Sequence, residues 1–401
     1  MKRTLLALAL TLQLSAAAPA HAQFGLFKSA FVKGEEAYEK KDFEAAHKHW
    51  SKAANKGEPE AQYRLGRLYD RGEGVEEDAE QALLWYTKAA EQGVQEAQTN
   101  LGVLYDTGRG TEEDNAEAAR WFREAASAGN KVAQYNLALM LDNGDGVPVN
   151  KAQAAALYRQ AGEQGITLAF LPHARILDQL GKPAAAFAKY EQAAQAGSVE
   201  AFYILGVKLQ IGSGVPVDLA AAQENIRKAA DAGYPKAMQH LGVAMLKGEL
   251  GMDINAEAGI ALVEAAAQTG FIPAIIDLAM IYDTGNGVEQ DRTKALGYLQ
   301  TAAQMGDPVA LNATGERLLM GVGTESDPQT AMEYFVAGIR AGSPMAMYNV
   351  GQIYQAGLGV EPNLEEAAKL YRAALDLGLR QAQDKLVVVC EGQTFPACFK
   401  R

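Results

Sequence analysis

Apolar residues recur along this chain at helical spacing, and the stretch from Ala61 to Gly93 shows the pattern in full. In its first part an alanine, two leucines and a tyrosine fall on one helical face. In its second part alanines, a tryptophan and a tyrosine do the same. A Gly-x-Gly turn lies between them, and Asp78 follows it at a position suited to capping a helix. The stretch therefore predicts two helices joined by a tight turn.

The leading alanine of this stretch returns at nearly every 36th residue, which makes the whole chain a series of helix pairs. It occurs as Ala61, Ala97, Ala133, Ala169, Ala201, Ala237, Ala274, Ala310, Ala346 and Ala382. A fixed period of this size is typical of a solenoid, in which each unit packs only on its neighbours. We predict an all-α fold of about ten helix pairs, followed by a C-terminal capping helix within residues 379–401.

The unit at 166–197 breaks the rhythm. The step from Ala169 to Ala201 is 32 residues, so the unit at 166–197 is four residues short and lacks the Gly-x-Gly turn. Pro172 lies in its first helix and predicts a kink or a late start. This unit is the candidate for a bend or a change of pitch. Residues 24–57 form a first helix pair with a short Lys-Lys-Asp link.

The N-terminus has the features of an export signal. Lys2 and Arg3 precede a short apolar run, and the small-x-small sequence ending at Ala22 predicts cleavage there. We expect a periplasmic or secreted protein. The formal net charge of −12 disfavours nonspecific binding to nucleic acid, which needs a basic surface, and to anionic membranes.

The two cysteines, Cys390 and Cys398, both lie at the C-terminal end. An even number of cysteines in an exported chain favours a disulfide, with two free thiols as the alternative. The histidines of the chain beyond the leader are scattered and offer no metal-ligand spacing.

Motifs for chemistry are missing from the sequence. It contains no Ser-x-x-Lys, Gly-x-Ser-x-Gly or His-Glu-x-x-His. The Gly-x-Gly loops lie between helices without a preceding strand, so we interpret them as turns and not as phosphate-binding loops. We expect no enzymatic activity, no cofactor and no metal.

The pattern resembles the Sel-one-like repeat family, a relative of the tetratricopeptide repeats. The residues that carry the resemblance are Ala61, Tyr63, Leu65, Gly66, Leu68, Tyr69, Gly72, Gly74, Val75, Trp85, Tyr86, Lys88, Ala89, Ala90 and Gly93. The resemblance implies a right-handed superhelix of antiparallel helix pairs. It divides the chain into a signal peptide (1–22), a tetratricopeptide-like helix pair (23–57), a solenoid (58–378, with the short unit at 166–197) and a cap (379–401).

The family resemblance also implies an adaptor that binds a protein or peptide partner in the cell envelope along a concave face lined by first helices. An acid ends the first helix in several units: Asp70, Asp106, Asp142, Asp178 and Asp283. These acids either form a strip for a basic partner or satisfy backbone groups in their own turns. Further candidates for the same face are Tyr63, Arg67, Tyr135, Tyr203, Asn312, Tyr348 and Gln352.

Two other functions remain open at this stage. One is an envelope factor that binds glycan or peptidoglycan. The other is a β-lactam-binding or β-lactamase-like protein, since some cysteine-rich members of the class have such roles. Those members carry a cysteine pair in nearly every repeat, whereas this chain has one pair in total.

Overall fold

The computed structural model describes residues 29–399, and the regular elements in that range are all helical. They form ten consecutive helix pairs and two further C-terminal helices. Within each pair the two helices pack together. Within residues 30–195, and again within residues 199–376, the second helix of a pair also packs on the first helix of the next pair. The prediction of an all-α solenoid is confirmed. The expected signal peptide, residues 1–22, lies outside the described residues.

The chain divides into two compact units, residues 1–198 and 199–401. The pairs of unit 1 are α1 (Ala30–Glu39) with α2 (Phe43–Ala54), α3 (Pro59–Arg71) with α4 (Ala79–Glu91), α5 (Gln95–Thr107) with α6 (Asn115–Ser127), α7 (Lys131–Asn143) with α8 (Lys151–Glu163), and α9 (Phe170–Gln179) with α10 (Pro183–Gln195).

Unit 2 continues the same arrangement and adds the C-terminal helices. Its pairs are α11 (Val199–Ile211) with α12 (Leu219–Asp231), α13 (Pro235–Lys247) with α14 (Ala256–Gln268), α15 (Ile272–Thr284) with α16 (Arg292–Gln304), α17 (Pro308–Met320) with α18 (Pro328–Arg340), and α19 (Pro344–Ala356) with α20 (Leu364–Asp376), followed by α21 (Ala382–Cys390) and α22 (Pro396–Phe399).

The turn between α3 and α4 shows how a repeat is closed. Gly72 adopts the left-handed conformation (φ 65°), and its amide donates to the carbonyl of Leu68. Only glycine takes this conformation at little cost, which explains its place after the helix. Asp78 then accepts a hydrogen bond from the amide of Gln81 at 2.9 Å and so caps α4, as predicted.

Close approach of the paired helices depends on small residues. A Cβ atom added at Gly66 would lie 2.7 Å from Cδ1 of Tyr86, so a side chain there would displace the ring. The core between the helices is otherwise filled by alanines and larger aliphatic residues, with buried aromatic rings on many of the second helices. Trp50, Trp85 and Trp121 all lie on second helices, and all three are buried.

A hydrogen-bonded link joins neighbouring repeats in unit 1. The phenol of Tyr86 donates to Asp70 at 3.2 Å, and it accepts a hydrogen bond from the side-chain amide of Asn100 in the next repeat. One period later Phe122 stands in place of Tyr86. Asn136, the counterpart of Asn100, is completely buried, and neither polar atom of its side chain has a hydrogen-bond partner within residues 29–399.

The short repeat starts with a single 3-10 turn at Thr167–Ala169, and α9 begins only at Phe170. Pro172 falls in the first turn of α9, where its missing amide hydrogen costs little. The prediction of a late start is confirmed. His173 occupies the place that leucine holds in the preceding repeats. Burial, followed by the positive charge of the nearby Lys189, lowers the pKa of the His173 imidazole to about 4.

The C-terminal segment is fastened to the last helix pair. Cys390 and Cys398 form a disulfide, with their Cα atoms 5.6 Å apart. The guanidinium Nε of Arg372 donates to the carbonyl of Ala397 at 3.0 Å. Phe395 packs against the apolar cluster of α20 and α21. The disulfide loop thus packs on the last helix pair and α21.

Candidate partner-binding groove

The acids that end the first helices of unit 1 are engaged within the chain. Asp70 accepts the hydrogen bond from the Tyr86 phenol and forms an ion pair with Arg109 at 3.0 Å. Asp142 accepts a hydrogen bond from the ammonium of Lys151. The other two acids of the set are held as well: Asp178 accepts from the phenol of Tyr190 at 3.0 Å, and Asp106 is buried.

The other unit 1 candidates lie among aromatic rings. The guanidinium of Arg67 sits between the rings of Tyr38 and Tyr63, at 5.9 and 5.8 Å from their centroids. Burial raises the pKa of the Tyr63 phenol, and it does the same for Tyr135. Tyr135 is buried against Tyr158, with the ring centroids 5.8 Å apart. These side chains chiefly pack the repeats together.

Unit 2 contains two cavities along the first helices of its repeats. One, of about 480 Å³, lies between α15 and α17, and the other, of about 660 Å³, lies between α17 and α19. Both are lined by Glu316 and Met320 of α17, so they adjoin at these residues. We call the two cavities together the unit 2 groove. Volumes of this order suit a ligand or a few residues of a peptide.

The wall of the first cavity is apolar and open to solvent. Met280 of α15 is 61% exposed, and Val309 and Met320 of α17 are 64% and 72% exposed. Large apolar side chains exposed side by side in a concave surface mark an interaction site more often than isolated ones do. This wall therefore offers apolar contact area that the rest of the chain leaves uncovered.

A charged pair lies in the same cavity. Arg317 donates to the carboxylate of Asp283 at 2.8 Å. This hydrogen bond lowers the pKa of the Asp283 carboxyl, which keeps it ionised. Most other repeats hold an apolar residue at the position of Arg317, such as Leu68 or Ile353, and Lys208 is the exception.

Amide side chains line the second cavity. The side-chain amide of Asn349 donates to Asn312 at 2.9 Å and to Oε1 of Glu316 at 2.6 Å. The amide of Asn312 donates to the same Oε1 at 3.0 Å. Gln352 and Gln355 complete this polar side of the cavity. The cluster combines an anion with several groups that can both donate and accept hydrogen bonds.

The structure thus brings only part of the predicted set together. Asp283 and Gln352 line the groove. Asn312 and Tyr348 join it through neighbours: Asn312 through Glu316, and Tyr348 through a 3.4 Å hydrogen bond from Gln352. Tyr203 lies apart on α11, where its ring is 5.5 Å from that of Tyr234.

Sequence reasoning missed Met280, Glu316 and Met320. A signal was present, because Met280 and Glu316 hold the same place in their repeats as Arg67 and Gln352. That position changes from repeat to repeat in size and charge, whereas most core positions are apolar in most repeats. Variation at one face position across otherwise similar repeats was therefore informative.

Within residues 29–399, His, Cys, Asp and Glu side chains nowhere gather in a group of three that could hold a metal ion. In the same range, each helix is too short or too polar to cross a bilayer.

The fold and its groove define a helix-pair repeat protein, and comparison with known proteins gives its family. The model of the Sel1 repeat matches nine segments, and we conclude that the chain belongs to the Sel1 repeat family. The segments are 20–58, 59–94, 95–130, 131–166, 199–234, 235–271, 272–307, 308–343 and 344–379. The first includes the helix pair that resembled a tetratricopeptide repeat, and the short repeat falls between the fourth and fifth. Sel1 repeats commonly form scaffolds for protein–protein interaction and are generally not catalytic.

Two solved structures support this placement. One is c5321, a protective antigen present in uropathogenic Escherichia coli strains that displays an SLR fold. It is 27% identical, with a TM-score of 0.53 over 92% of this chain and 88% of that one. The other is a Sel1 repeat protein from Oxalobacter formigenes, 34% identical, with a TM-score of 0.50 over 60% of this chain and 97% of that one.

A curated relative is the protein NMB1327 of Neisseria meningitidis serogroup B. It is 31% identical over 127 residues, which are 32% of this chain. The matched part spans 26% of the length of that relative.

Proposed function

We propose that this protein is an adaptor that binds an extended segment of a partner protein in the unit 2 groove. The observation that carries the proposal is the junction of the two cavities at Glu316 and Met320. A segment lying across α15, α17 and α19 would contact both the apolar wall and the amide cluster. Consecutive first helices would thus each contribute contacts to one bound chain.

The lining of the groove fits a polypeptide. The wall of Met280, Val309 and Met320 accepts apolar side chains, each buried methylene contributing about 0.8 kcal/mol. Methionine adapts its shape to different partners because its side chain is unbranched and flexible. Gln352 and Gln355 supply donors and acceptors for the backbone of an extended segment, whose own hydrogen bonds are unmade.

One carboxylate of the groove, that of Glu316, can bind a basic residue of the partner. Both amide hydrogen bonds to Glu316 go to Oε1. Its Oε2 accepts no hydrogen bond from the part of the chain that the structure describes, so it can receive one from a lysine or arginine of the partner. The negative net charge of the chain also attracts a basic segment.

We further propose that the protein acts in the bacterial periplasm or outside the cell. The leader-like residues 1–22 and the Cys390–Cys398 disulfide support this location, because disulfides persist in oxidising compartments. A glycan-binding role has less support, since the only aromatic residue lining the groove, Phe335, is buried. No feature of residues 29–399 favours β-lactam chemistry.

A photo-crosslinking experiment tests the binding proposal. A photoreactive amino acid replaces Met320 in the full chain, expressed in its native cell, and crosslinked peptides are identified by mass spectrometry. The matched control carries the same amino acid at Ile254, which is 69% exposed but lines neither cavity. We expect one partner, crosslinked at 320 through an apolar segment with a basic residue, and no such crosslink at 254.

Equal crosslinking at both positions, or none at 320, would refute the groove as the binding surface.

Fractionation of the same cells tests the location. The chain should be found in the periplasmic fraction, and its N-terminus should be the residue after Ala22. A full-length chain in the cytoplasm would contradict export.

A further inference from the structure

Methionine exposure in unit 2 is concentrated at the groove. The chain has eleven methionines, and within residues 29–399 three are well exposed: Met280 (61%), Met305 (46%) and Met320 (72%). Met280 and Met320 face one cavity from neighbouring repeats. Met305 directly follows the last residue of α16 and lines neither cavity. By contrast, Met140 is buried in the core of unit 1.

The thioether of an exposed methionine reacts with peroxides and hypohalous acids. With hydrogen peroxide, the sulfur takes one oxygen atom to become a sulfoxide, and the rest of the peroxide leaves as water. The sulfur loses two electrons and the peroxide gains them. The product is polar where the thioether was apolar, and sulfoxide reductases return it to methionine.

We propose that Met280 and Met320 are a site of reversible oxidation that switches the apolar wall of the groove between a binding and a non-binding form. The proposal rests on the groove being the binding surface. Two sulfoxides on the same wall would place two strong dipoles where a partner's apolar side chain has to be buried. Burial of such groups without hydrogen-bond partners is unfavourable, so the oxidised groove binds apolar segments more weakly.

The location proposed for the protein makes this reaction relevant. Outside the cytoplasm the chain would meet oxidants that thiol systems do not remove there. The two cysteines are already joined in a disulfide, so the exposed thioethers are the sulfur atoms still open to oxidation in the described chain.

The test uses the full mature chain and needs no knowledge of the partner. Hydrogen peroxide is added, and samples taken over time are analysed by peptide mapping and by binding of the neutral apolar dye Nile red. We expect Met280, Met305 and Met320 to convert about tenfold faster than Met140, because reaction follows exposure. Dye fluorescence should fall at least about twofold as Met280 and Met320 convert, and a sulfoxide reductase should restore it.

Matched variants separate the groove from the rest of the surface. The M280L/M320L variant removes both thioethers and keeps an apolar wall, so peroxide should leave unchanged whatever amount of dye this variant binds before treatment. The M305L variant should remain as sensitive as the original chain. The proposal is overturned if the untreated groove takes up no dye, if dye binding survives full conversion of Met280 and Met320, or if M280L/M320L stays peroxide-sensitive. If the crosslinking at Met320 fails, the proposed partner binding is refuted, but the expected results of the peroxide and dye experiments stay the same.

Discussion

Replacement of Phe122 by tyrosine should stabilise unit 1, although it adds a polar group to a packed interior. The ring of Phe122 lies against Gly102 as that of Tyr86 lies against Gly66, with a virtual Cβ at 2.7 Å from the ring in both cases. A hydroxyl on Phe122 would therefore take the place that the Tyr86 phenol takes one repeat earlier. There it could donate to Asp106 and accept from Asn136.

The expected gain follows from the state of Asn136. This side chain is completely buried, without a hydrogen-bond partner in the described part of the chain. A buried polar group left unpaired costs about 1–3 kcal/mol, and a hydrogen bond made inside a protein is worth about 1 kcal/mol net. F122Y should therefore raise the local free energy of unfolding by about 1 kcal/mol. Y86F removes the hydroxyl that Asp70 and Asn100 share, and it should lower the local free energy of unfolding by about 1 kcal/mol, the net value of a hydrogen bond.

Native-state hydrogen exchange on α6 and α7 is the suitable assay, because a long repeat array need not unfold in one step. A gain of 1 kcal/mol slows exchange through local opening about fivefold. The double mutant F122Y/N136A closes a cycle in which the gain should disappear. If F122Y leaves exchange unchanged while Y86F speeds it, the hydroxyl does not reach Asn136 and the reasoning is wrong.

Three further predictions concern packing, pH and the cap. G351A should destabilise unit 2 by about 1–3 kcal/mol, since its Cβ would lie 2.7 Å from the ring of Tyr371. G297A meets nothing within 4 Å and should stabilise its helix by about 0.5–1 kcal/mol, so equal effects in urea unfolding would contradict this packing. The lowered pKa of His173, about 4, means that the unfolded chain binds its proton first. Stability should then fall as the pH drops from about 6.5 to about 4, and H173L should flatten that part of the urea midpoint–pH curve. Loss of the disulfide in C390S/C398S should cost about 2–3 kcal/mol. Exchange should rise in α21 and stay unchanged in α9, and a rise in both helices would show that the cap acts beyond its neighbours.

The sequence was enough to predict the helix pairs, their turns and the cap, because these features depend on local spacing. Gly72 and Asp78 act within a few residues of the helices they end or begin, and the 36-residue period gives the order of the pairs. The role of Gly66 is also local, because the ring for which it leaves room, that of Tyr86, belongs to the partner helix of the same repeat.

The groove was harder to predict because it depends on contacts between repeats. Spacing showed that Asp70 and Asp283 share a repeat position, but not that Tyr86 and Arg109 engage the first and Arg317 the second. The exposure of Met280 and Met320 depends on what neighbouring helices leave uncovered. No property of a single helix gives that information.

The link from Tyr86 to Asn100 also bears on how such a chain can gain or lose repeats. Excision of residues 94–129, one full period, would bring Asn136 to the place of Asn100 beside Tyr86. The shortened protein would keep a phenol–amide pair at the new junction and lose the mismatch of Phe122 with Asn136. Repeats are therefore not fully interchangeable at this junction, because a recombination event either keeps a phenol beside the asparagine of the next repeat or replaces it with a ring that cannot form the hydrogen bond.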